Sequence, residues 1–147
     1  MSNLLAWARS IKTEGVVRSS TADGGRPFIH SEDIASVSVA SLLSDKYIGE
    51  ALPITGPESL TFGEATAIIG EAIGKHLSYE AISDEEARTS YSKISAAPEE
   101  TEAHVALWRA IREGRLAATT DSVQQILGRT PVTLREWTSE NVAVFQK

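Results

Sequence analysis

His30, His76 and His104 are the side chains whose ordinary pKa suits proton transfer near neutral pH. They are far apart in sequence, and none has the close spacing of a local zinc site. The chain has no cysteine, so disulfides, thiolate metal ligands and a cysteine nucleophile are all excluded. No G-x-S-x-G elbow occurs. Tyr47, Tyr79 and Tyr91 each lack a lysine four residues on, so no helical Tyr-x-x-x-Lys pair can lower a phenol's pKa for proton transfer. Gly24 and Gly25 are adjacent, but Arg26-Pro27 and an extended stretch follow them. A dinucleotide loop needs a strand before its glycines and a helix after them. What remains is His30, as a proton donor or acceptor or as a local hydrogen-bonding group. Phe28, Trp108 and Trp137 remain as aromatics able to line a pocket for a flat organic ligand or to fill a core.

The elements that must position these groups follow from periodicity and caps. Residues 3–13 read as a helix with Leu4, Leu5, Trp7, Ala8 and Ile11 on one stripe, stopped at Gly15. Val16 and Val17 start a short strand, residues 19–25 form a turn, and Pro27 keeps residues 26–30 extended. Ser31 reads as the N-cap of a helix over 32–43, with Glu32 and Asp33 in its positive first turn. Asp33 there is expected to accept free amides, which suits structure better than base chemistry. That helix is apolar on several faces, so the pattern predicts cover on more than one side and a central place in the core.

Residues 50–54 read as a strand and 55–57 as a turn. Thr61 and Glu64 form a capping box opening a helix that buries Phe62, Ala65, Ile68, Ile69, Ala72 and Ile73, capped by Gly74. Residues 77–82 alternate as a strand, and Ser83 with Glu86 forms a second capping box. The pattern breaks over 94–97, and Pro98 opens a helix carrying Val105, Leu107, Trp108 and Ile111 to near Gly114. Thr120 is expected to cap a helix over 121–127, stopped at Gly128, and a last helix runs over about 134–145. A few short strands among several helices predict a helix-rich α/β fold in one domain, residues 1–147, with an incomplete sheet layer.

Apolar residues make up 41% of the 147 and charged residues 23%, an ordinary balance for a globular chain. The net charge of −6, without a basic stripe, argues against nucleic acid and anionic membrane as partners. The amphipathic N-terminus contains no long apolar run, so neither a signal peptide nor a spanning segment is expected, and a cytoplasmic location is the default.

Four phrases in order, NLLAWARSIKTEGVV, RPFIHSEDIASVSVASLL, GEALPITGPESLTFGEATAIIGEAIGKHLSYEAISDEEAR and ILGRTPVTLREWTSENVAVF, resemble the C-terminal half of NmrA-like proteins, atypical members of the short-chain dehydrogenase superfamily. HSEDIA and TGPESLT carry the resemblance most specifically, and residues 90–118 least. The resemblance implies an extended Rossmann-type architecture. In it, a first part holds NADP or NAD, and the part matched here packs against it to close the substrate cleft. The match starts past the glycine motif, so this chain alone is expected to bind no cofactor. The resemblance also places the strand-to-helix junction at His30 on the cleft, as a weak catalytic candidate. Asn3 and Trp7 match a segment bordering cofactor or substrate. Asn3, Trp7, Phe28 and Trp108 are therefore the ligand-binding candidates, with a helix cap and a core anchor as the plainer roles of the first two.

Three functions compete. One is the substrate-binding half of an NAD(P)-dependent oxidoreductase, without redox activity of its own. A second is a small cofactor-independent cyclase or isomerase reusing the pocket, with His30 and nearby carboxylates moving protons. The third is a regulatory interaction module. In each case an apolar face and strand edges are expected to be covered, by a homodimer or by a separate Rossmann-type subunit.

Overall fold

A computed structural model of the chain describes residues 1–94 and 97–146. Part of the expected pattern break over 94–97, at Ser95 and Ala96, therefore lies outside the described residues. A 3-10 helix, Ser2–Trp7, runs directly into α1, Ala8–Thr13. Next come β1, Val16–Ser19, a turn, and β2, Gly25–Pro27. Helix α2 spans Ser31–Leu42, and a short 3-10 turn, Asp45–Tyr47, follows it. Strand β3, Ser59–Thr61, leads into α3, Phe62–Ile73, and β4 spans Ser78–Ala81. The remaining helices are α4, Asp84–Tyr91, α5, Pro98–Arg112, α6, Ser122–Leu127, α7, Leu134–Glu140, and α8, Val142–Phe145. The fold is helix-rich α/β, as the pattern predicts.

Two strand pairs replace a full sheet. β1 and β4 run parallel, with Val17 opposite Tyr79, while β2 and β3 run antiparallel, with Arg26 opposite Leu60. Helix α3 is the centre of the packing and touches β4, α7 and α8. Its Phe62, Ala65, Ile69 and Ile73 join Leu4, Ile11, Val17, Phe28, Ile111, Leu134 and Phe145 in one core. The Thr61 box fixes its entry: Glu64 N donates to Thr61 Oγ1 at 3.0 Å, and Thr61 N donates to Glu64 Oε2 at 2.8 Å. Gly74 ends the helix at φ +68°, a left-handed conformation that a side chain would strain. The Ser83–Glu86 box opens α4 in the same way, and Pro98 opens α5.

Several expectations require correction. The cap of α2 is His30, whose Nδ1 accepts from Glu32 N at 3.0 Å, and Ser31 is the first helical residue. Helix α2 is not central to the core. It buries only Asp33 and Val37, and Ile34, Val39, Leu42 and Leu43 are exposed. Residues 50–54 form no strand, because a strand needs a neighbour's amides and carbonyls, and among the described residues none pairs with them. The strand lies instead at Ser59–Thr61. Asp121 occupies the N-cap position of α6, while Thr120 Oγ1 donates to Pro53 O at 2.9 Å. The last helix breaks at Asn141, and Ala72 and Leu107 face outward.

Candidate functional site

The aromatic side chains converge on Phe62, the first residue of α3. Trp7 meets its ring at 5.1 Å, Phe28 at 5.9 Å and Trp108 edge-on at 6.4 Å. Three elements deliver them: the N-terminal 3-10 helix, the segment after β2, and α5. Phe28 and Phe62 are buried, whereas Trp7 and Trp108 are only partly so. The two tryptophans therefore carry the solvent-accessible part of this aromatic cluster. The ring chain continues outward from Trp108 through His104, at 4.5 Å, to Tyr91, stacked at 4.0 Å and 17°. Burial pushes the His104 imidazole below its ordinary pKa, so it sits there as a neutral, stacking ring.

Of the ligand candidates read from sequence, Trp7, Phe28 and Trp108 come together, and Asn3 lies exposed on the 3-10 helix outside the ring contacts. His30 stands at the entry of α2. Its Nε2 is 3.7 Å from Glu140 Oε2, and its Nδ1 is occupied by the cap. Trp137 belongs to a different contact, edge-on to Phe145 at 6.2 Å in the core. Asp33 does not cap its own helix. Its Oδ2 accepts from Val132 N at 2.8 Å, and Arg129 Nη1 lies 2.7 Å from Oδ1, so it ties α2 to the loop before α7.

Sequence reasoning treated Phe62 only as core and passed over Arg26. The signal for Arg26 was present: two residues before Phe28 in an extended stretch, it shares that residue's face. Its guanidinium carbon stands 5.5 Å from the centre of the Phe28 ring, and burial lowers its pKa. Burial, and secondarily the Arg26 charge, lower the Met1 amino group as well.

Elsewhere, the Tyr79 hydroxyl lies 2.9 Å from Ser19 Oγ and 3.1 Å from Thr21 Oγ1 and donates to Ser19 O at 3.2 Å. This hydroxyl group is satisfied within itself and holds the β1 turn. Two open surface depressions, one between α4 and α5 beside Arg88 and Glu102, the other around His76 at the end of α3, include none of the ligand candidates. Among the described residues no three metal-binding side chains form a cluster, and no helix is long and apolar enough to cross a membrane.

The residues described do not fit a dinucleotide pyrophosphate. β1 leads into a buried turn, and a Cβ at Gly24 would strike the backbone of Ile111 and Arg112. That glycine therefore serves the contact between this turn and α5, and no strand–glycine loop–helix unit surrounds it.

No family model matches the chain. It is 32% identical over 145 residues to a (4-alkanoyl-5-oxo-2,5-dihydrofuran-3-yl)methyl phosphate reductase of Streptomyces griseus, covering 99% of this chain and 51% of that protein. It is 29% identical over 145 residues to an NAD(P)H azoreductase of Xenophilus azovorans, with the same shares covered. Among solved structures, an NADPH-dependent quinone oxidoreductase from Escherichia coli superposes with a TM-score of 0.86 at 18% identity. The match covers 95% of this chain and 51% of that one. The chain therefore spans about half the length of the curated relatives it matches, and the matches define a partial module of an oxidoreductase family. Within that class it corresponds to the C-terminal half of an NmrA-like protein.

Proposed function

We propose that this chain supplies the substrate-side wall of an NAD(P)H-dependent reductase for flat, unsaturated acceptors. The observation that carries the reading is the convergence of Trp7, Phe28 and Trp108 on Phe62, with the two tryptophans left partly open. Such rings offer large apolar area with little side-chain entropy to lose, and they stack on conjugated ligands. The names of the relatives agree: a dihydrofuranone phosphate and azo compounds are conjugated acceptors. In this reading the chain binds and orients the acceptor and shields it from water. The dinucleotide is held by a nucleotide-binding part that this chain's described residues do not provide. The exposed apolar face of α2 around Leu42 and Leu43 is covered by that part, as a separate Rossmann-type subunit, or by a second copy of this chain in a homodimer.

Ligand-observed NMR with 1,4-naphthoquinone tests the wall directly. The chain is expected to bind it, and Trp108→Ala to weaken binding by about tenfold, the scale of one lost aromatic contact. Trp137→Phe, in the separate core contact, is expected to leave binding unchanged. Binding that ignores Trp108 and Trp7 alike would refute the assignment.

A further inference from the structure

Arg26 is an exception among the arginines of this acidic chain. Arg9 is exposed, and each of the others forms an ion pair with a carboxylate. Arg26 is partly buried, and its guanidinium makes no hydrogen bond or ion pair with any described residue. Strand β2 fixes its backbone opposite Leu60, and period-two alternation sends its side chain along the face that carries Phe28. The result is a five-donor cation at the margin of the aromatic cluster, with no protein acceptor for its donors among the described residues. A desolvated charge without a counter-charge is unfavourable, and contact with one ring offsets only part of that cost. An incoming oxyanion would restore the missing partner through a bidentate, charge-assisted pair.

We propose that Arg26 selects ligands in which the flat body carries an oxyanion substituent, phosphate or carboxylate, at the edge nearest β2. The flat body rests on the open parts of Trp7 and Trp108, in front of the buried Phe28 and Phe62, and the oxyanion bridges to the guanidinium. This inference rests on the reading of the aromatic cluster as a ligand wall.

The test compares 1-naphthyl phosphate, 1-naphthoate and 1-naphthol as ligands of the whole chain, by calorimetry or ligand-observed NMR. Both anions are expected to bind at least about tenfold more tightly than naphthol, as a charged hydrogen-bonded pair implies. Arg26→Gln is expected to erase that ratio while leaving naphthol binding unchanged, Arg26→Lys to restore part of it, and Arg9→Gln to change nothing. The melting temperature of Arg26→Gln should stay equal or rise, because a half-buried charge is removed and only its contact with the Phe28 ring is lost; a clear fall would show a structural pairing and overturn the proposal. Equal binding of all three ligands, unaffected by Arg26→Gln, would also overturn it and leave the aromatic wall standing. Failure of all three to bind would remove both readings together.

Discussion

Helices α2, Ser31–Leu42, and α3, Phe62–Ile73, each run for twelve residues, and both are rich in apolar side chains. α3 encloses its inner apolar face: Ala65 and Ile69 are 0% exposed, and Phe62 and Ile73 are close behind, while Ala67 and Ala72 face outward. α2 leaves Leu42 86% exposed and buries chiefly Val37 and the tethered Asp33. The difference lies in their neighbours. α3 has β4, α7 and α8 around it, whereas α2 has α6 and the short turn that follows it. Apolar composition therefore reports that a helix has a surface to hide, and only the packing reports whether this chain hides it. The outer face of α2 is therefore left open on a chain that spans about half the length of the curated relatives it matches.

Four measurements sharpen or break this contrast. Ile69→Ala in α3 is expected to lower unfolding free energy by about 2–5 kcal/mol, since it empties a fully enclosed site. A loss under about 1 kcal/mol by urea titration would mean that α3 is not the centre of the core.

Asp33→Ala comes next. It leaves Val132 N without its acceptor and Arg129 without its counter-ion, at an expected cost of about 1–3 kcal/mol. If α2 is held by its apolar face instead, the variant will melt with the wild type.

The third concerns the acid limb of stability. Arg112, followed by Arg109, holds the Asp84 carboxyl far below the usual carboxylate range, joining α4 to α5. Because the folded pKa is depressed, the stabilisation is present above the unfolded value of about 4 and fades as pH falls below it. The guanidinium partners are 47% and 35% exposed, so Asp84→Asn should cost only about 1 kcal/mol at neutral pH. The gap to wild type should narrow steadily on acidification; a gap that does not change with pH would reject the pairing as its cause.

The smallest effect is expected at Leu42→Ala, within about 0.5 kcal/mol of wild type by the same titration. A loss comparable to that of Ile69→Ala would show that α2 is covered after all.

Local chemistry was legible in the sequence. The capping boxes at Thr61 and Ser83, the left-handed Gly74 and Pro98 at the first turn of α5 all depend on residues a few positions apart. A third box, Thr133 with Glu136, has the same spacing and was equally readable, though only the structure brought it to notice. What the tertiary structure decided involves distant pairs. Asp33 meets Val132 across 99 positions, so its first-turn location suggested the wrong partner. Phe62 gathers Trp7, Phe28 and Trp108 from three separate segments, which no spacing rule connects. Residues 50–54 read as a short strand, but pairing depends on a neighbour, and among the described residues none pairs with them. Caps and turns close within one helical turn, so their energy is written in adjacent residues. Burial, ion pairing and strand partnership are properties of two surfaces, and the sequence of one segment states only half of each.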